Sequence, residues 1–128
     1  MNAIPTLSFF EKLYLPGSVP CTLEEIIILI RTRRWEAVIT AYRASLAAGD
    51  KEGARKQKGQ LPGFTPSGMF QGGHRANQLE QYSGIVGLDF DHVANPKGLA
   101  ALFRQQACTL ALFVSPGGEG LKVFVRVD

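Results

Sequence analysis

The sequence predicts an α+β domain in which N-terminal helices precede an incomplete βαββ sheet. Apolar residues recur at helical spacing between Thr22 and Gly49, whereas residues 85–91 and 121–127 alternate with a period of two. A Gly- and Pro-rich stretch of little periodicity separates the two regimes. We read residues 1–58 as a helical lead-in, 59–83 as a connection and 84–128 as the βαββ unit of a single domain.

Thr22-Leu-Glu-Glu25 fits a capping box and opens a helix that ends near Arg31, Arg33 and Arg34, basic residues suited to the negative end of the helix dipole. Trp35, Val38, Ile39, Tyr42 and Leu46 form a second helical stripe, which Gly49 stops. An aromatic stripe of this kind usually serves packing, so Trp35 and Tyr42 are expected in the core rather than in a site. Residues 50–60 carry Lys51, Arg55, Lys56 and Lys58 and read as a solvated helix face. In the connection, His74 and Arg75 are weak candidates for contacting a ligand.

Strands are expected at 85–91, 109–115 and 121–127, with a helix at 97–106. In a ferredoxin-like or RNA-recognition-motif-like arrangement the third strand lies beside the first and antiparallel to it. Val86, Leu88 and Phe90 then face a core, as do Leu121, Val123, Val125 and Val127. Gly87, Asp89 and Asp91 share the opposite, open face with Lys122, Phe124 and Arg126.

The 128 residues, 45% of them hydrophobic, are ordinary for a globular domain. The N-terminus lacks the basic start of a signal peptide, and the apolar run from Ile26 to Ile30 is too short for a bilayer, so a cytoplasmic protein without membrane association is expected. Cys21 and Cys108 are isolated and read as buried free thiols. A formal charge of +3 agrees with a polyanionic partner.

Two carboxylates one residue apart on a strand point the same way and repel, so Asp89 and Asp91 are candidate ligands for Mg²⁺ or Mn²⁺. A merely solvated strand end would show the same pair. The turn Ser115-Pro-Gly-Gly-Glu-Gly120 breaks the tie, because its main-chain N–H groups can form an anion nest. With Lys122 as a point charge, the three features together describe a nucleoside triphosphate site.

Gly87-Leu-Asp-Phe-Asp-His92 followed by Ser115-Pro-Gly-Gly-Glu-Gly-Leu-Lys122 resembles the first two motifs of the archaeo-eukaryotic primase superfamily. With the lead-in from Lys58 to Gly84, the chain is similar to the virulence-associated-E N-terminal family of primase-polymerase-like domains, over residues 58–127. The resemblance implies a primase-type sheet and a nucleotidyl transferase of mobile-element or phage replication. Asp89, Asp91 and Lys122 would be catalytic, Asp89 and Asp91 holding Mg or Mn. Ser115, Gly117, Gly118, Gly120, Lys122 and Arg126 would bind the nucleotide.

The implied partners are nucleoside triphosphates, a DNA or RNA template, and a helicase or ATPase in the same or a neighbouring chain. Two positions depart from the pattern: Lys122 stands where many members have His, and a third acidic motif, expected on a later strand, is missing before Asp128. Either a fragment of a longer replication protein or a truncated reading frame is therefore expected. One alternative is a non-catalytic nucleotide- or nucleic-acid-binding module that serves a helicase. Another is a phosphohydrolase of the haloacid dehalogenase type, which also starts with Asp-x-Asp but needs a larger doubly wound sheet.

Overall fold

In the computed structural model, which describes residues 4–12 and 17–127, short strands flank the predicted helices on both sides. In chain order the elements are β1 (Leu7–Phe10), β2 (Val19–Cys21), α1 (Leu23–Arg31), α2 (Glu36–Ala47), α3 (Lys51–Lys58), β3 (Gly63–Thr65), β4 (Gly68–Phe70), β5 (Leu79–Tyr82), β6 (Ile85–Phe90), α4 (Pro96–Arg104), β7 (Thr109–Val114) and β8 (Leu121–Arg126). A 3₁₀ turn at Ala76–Gln78 precedes β5. The class is α+β. Among the described residues the strands form three small antiparallel sheets, ordered β2-β1-β3, β4-β5 and β6-β8-β7.

Local chemistry sets the helix boundaries. Thr22 Oγ1 accepts the Glu25 N–H at 3.2 Å, Asp50 Oδ1 that of Gly53 at 2.9 Å, and Asn95 Oδ1 that of Gly98 at 3.1 Å. Pro96 occupies the first turn of α4, where its missing N–H costs nothing. Gly49, at φ +73°, ends α2 in the left-handed conformation expected of it.

The lead-in is not purely helical, because β1 and β2 precede α1 and pair with β3 from the connection. The connection is itself structured: β3, β4 and β5 all fall within it. Strands of three residues are too short for alternation to show, and the partner of β3 lies far away in the chain. Ser8, 2% exposed, joins the first two sheets. Its hydroxyl accepts the Phe70 N–H at 2.8 Å and faces the Phe70 carbonyl at 3.3 Å.

The βαββ unit follows expectation in order and direction, with β8 between β6 and β7 and antiparallel to both. Leu88 and Phe90 pack with Leu121, Val123 and Ala100 beneath α4. Val86 does not: it is 37% exposed at the end of β6, because α4 packs on β7 and β8. The second face is not open. Leu7, Ile26, Ile85 and Phe124 form a buried cluster there, flanked by Phe64 and Phe113, so β1, β3 and α1 cover the middle of that face.

The antiparallel sheet has no place in a doubly wound phosphohydrolase, which removes the haloacid dehalogenase reading. No helix of the described residues is long and apolar enough to cross a membrane. Both cysteines are free, but Cys108 is exposed and Cys21 only half-buried, at the end of the outer strand β2. Burial, and secondarily the charge of Glu25, pushes the Cys21 thiol up from its ordinary 9.0 to about 11.

Three predictions come from this packing. Ser8→Ala leaves the partly buried Phe70 N–H without its acceptor and is expected to lower stability by about 1–3 kcal/mol in urea denaturation. In the native protein iodoacetamide is expected to modify Cys108 roughly ten times faster than Cys21 or more. The folded state also holds the Cys21 proton more tightly than the unfolded chain does. Stability is therefore unaffected by this group below pH 9.0 and falls as pH rises from there towards about 11, a decline that Cys21→Ala removes.

Candidate functional site

The β6–β8 register places Asp89 directly opposite Lys122, and the two side chains meet with Nζ 3.1 Å from Oδ2. Both are partly exposed, so a pair of this kind contributes at most about 1 kcal/mol and is readily exchanged for another partner. Asp91 follows the last residue of β6. Its neighbour His92 has a left-handed backbone, φ +52°, a conformation uncommon outside glycine that His adopts more readily than most residues. Beyond it Val93 N–H donates to Glu119 O at 2.7 Å, and His92 Nδ1 lies 3.3 Å from Glu119 Oε2. The end of β6 is thus tied to the glycine-rich turn.

That turn is closed by Ser115. Its N–H donates to Gly120 O at 3.0 Å, and its hydroxyl accepts the Gly120 N–H at 3.0 Å. A Cβ on Gly120 would sit 2.7 Å from the Phe90 carbonyl oxygen and 2.8 Å from Ser115 Oγ, so the close approach of turn and β6 requires glycine there. Gly118, at φ +87°, supplies the left-handed corner.

A cleft of about 1100 Å³ opens where the N-terminal elements stop covering the sheet. Asp89, Asp91, Ser115, Gly117, Gly120 and Lys122 all line it. Gly118 instead lines a smaller hollow beside His92 and Glu119. Arg126 is paired with Ile85 at the far end of β8, four residues from Lys122 and hence about 13 Å away along the strand, outside the cleft lining. His74 and Arg75 are also absent from the lining; His74 packs edge-on against Phe10 with ring centroids 5.5 Å apart.

The opposite wall comes from residues expected in the core. Trp35, Ile39, Tyr42 and Leu46 line the cleft, and α2 has no buried residue. Arg43 on the same helix donates from Nε to Pro116 O at 2.9 Å and ties α2 to the glycine turn. Lys58 adds a cation from the end of α3. The stripe itself was visible in the sequence, but its periodicity reports only that one face is apolar, not what that face meets.

A family model for the BT4734-like N-terminal domain matches residues 56–128, more than half of the chain. The chain belongs to that family. The matched span contains Asp89, Asp91, the glycine turn and Lys122, while α1 and α2 lie before it. This corrects the resemblance to the virulence-associated-E N-terminal family and the primase superfamily, since the matching family is a different one. Asp-x-Asp and a Gly-rich hairpin are short enough to mislead when taken as a signature. No curated protein and no solved structure matches the chain.

The turn geometry gives a direct check. Gly120→Ala is expected to cost about 1–3 kcal/mol in urea denaturation, because the new methyl group meets backbone that cannot move without shifting β6.

Proposed function

We propose that the cleft binds a nucleoside triphosphate together with a divalent cation, in the service of nucleotidyl transfer. The observation that carries this reading is the convergence of Asp89, Asp91, Lys122 and the Ser115–Gly120 turn on one cleft. Oxygen-only donors suit Mg²⁺ or Mn²⁺, and Asp89 and Asp91 would hold the ion. When bound, it supplies charge neutralisation for the phosphates. Lys122 exchanges Asp89 for a phosphate oxygen, and Ser115, Gly117 and Gly120 line the phosphate position. An acceptor hydroxyl on a DNA or RNA strand would displace pyrophosphate from the α-phosphorus.

One observation favours a second reading, a module that binds nucleotide without turning it over. Among the described residues no group of three His, Cys, Asp or Glu side chains is placed to hold a metal, and Lys122 already balances Asp89. Asp128, the last acidic residue of the sequence, lies outside the described residues.

Calorimetric titration with ATP and Mn²⁺ separates the two. For the catalytic reading, binding requires the metal and is weakened at least about tenfold in the Asp89→Asn, Asp91→Asn double variant. Binding indifferent to metal and to both substitutions would support the non-catalytic module, and absence of binding to the folded wild type would remove both readings.

A further inference from the structure

We propose that the α2 face formed by Trp35, Ile39 and Tyr42 is the wall against which the nucleobase lies, a reading that rests on the triphosphate site above. Three observations support it. The stripe at positions 35, 39, 42 and 46 falls on one face of the helix, yet that face meets the cleft instead of a closed core. Such a face on an otherwise packed domain calls for an apolar or aromatic occupant.

The wall also adjoins the phosphate position. A Cβ on Gly117 would lie 3.7 Å from Leu46 Cδ1 and 4.0 Å from Tyr42 Cε2, and the Arg43 bond to Pro116 O holds the helix at that distance. Trp35 stands seven residues before Tyr42, about 10 Å further along the helix axis. Phosphates at the turn therefore place a sugar near Tyr42 and a base near Trp35.

The indole is also held. The Arg34 guanidinium sits over it, 5.3 Å from the ring centroid, and donates to Glu11 at 3.2 Å. Rings fixed in this way stack with little further loss of rotamer freedom.

The chemistry of the lining sets the selectivity. Among the described residues the cleft lining has no Asn, Gln or Thr, and its polar side chains, apart from Trp35, Tyr42, Arg43 and Lys58, belong to the ends of β6 and β8 and to the glycine turn, where the phosphates lie in this reading. Stacking accepts every base, since each has a π-face, whereas strong discrimination needs polar groups left unpaired by the wrong ligand. The site is thus built to take nucleoside triphosphates irrespective of base.

Trp35 is the single tryptophan of the chain, so its fluorescence reports the wall directly. With Mg²⁺ present, ATP is expected to quench this emission saturably, while inorganic tripolyphosphate binds without quenching. Trp35→Leu and Tyr42→Leu are each expected to weaken ATP binding roughly tenfold with tripolyphosphate affinity unchanged, which also shows that the variants are folded. Trp35→Phe restores most of the affinity, and ATP, GTP, CTP and UTP bind within about tenfold of one another.

Equal binding of ATP and tripolyphosphate, unaffected by either substitution, would overturn the wall and leave the triphosphate site standing. A hundredfold preference for one base would overturn recognition by stacking. If neither ATP nor tripolyphosphate binds, the proposed function fails and the wall fails with it.

Discussion

Phe124 couples the two halves of this chain, and the site exists because of where that coupling stops. Its ring is 4% exposed and lies between Phe64 of β3, at 5.3 Å, and Phe113 of β7, at 5.7 Å. Burial of an aromatic side chain on this scale contributes about 1.5–3 kcal/mol by area alone, more than any exposed ion pair. It clamps β1, β3 and α1 onto the centre of the β6-β8-β7 sheet. Two residues along β8 the same face carries Lys122 instead, and the cover ends. Phe124 also forms part of the cleft lining, so an apolar contact at 124 and a charged one at 122 mark the passage from core to cleft on one sheet face.

The βαββ order was legible because β6 and β8 are six residues long, enough for alternation to show, because β7 is a nearly continuous apolar run of the same length, and because α4 carries its own cap and proline. That Asp89 and Lys122 share one sheet face was legible from the alternation, while their direct pairing is set by a register that only the structure shows. The β1–β3 sheet was not legible. Leu7, Ser8 and Phe10 are all buried, so β1 is covered on both faces and has no polar alternation to read. Its partner β3 lies more than fifty positions away and is three residues long. The same blindness explains why the second sheet face was expected to be open: no local pattern announces which distant segment will cover it.

The aromatic stripe of α2 shows a different limit. Helical periodicity marked Trp35, Val38, Ile39, Tyr42 and Leu46 as one apolar stripe, of which all but Val38 line the cleft, and apolar faces are most often buried against the rest of the fold. Here the helix is held by polar contact at one end, through Arg43 and Pro116, and by its packing on α3. Neither contact covers the stripe. A sequence pattern records the chemistry of a face, while its role depends on whether a neighbour occupies the space in front of it.

The distribution of these parts along the chain has a mechanistic meaning. The family match spans residues 56–128 and so includes the carboxylates, the glycine turn and Lys122, which are the groups able to handle phosphate and metal. The α2 wall lies outside that span. In the proposed reading, charge chemistry resides in the βαββ unit and contact with the rest of the ligand resides in the N-terminal helices. Arg43 is a second link between them beside the Phe124 cluster, and its bond to Pro116 O ties the wall to the turn. A ligand that touches both must match their separation. The geometry that admits it is set by that side-chain-to-backbone hydrogen bond together with the packing of β1, β3 and α1 on the sheet.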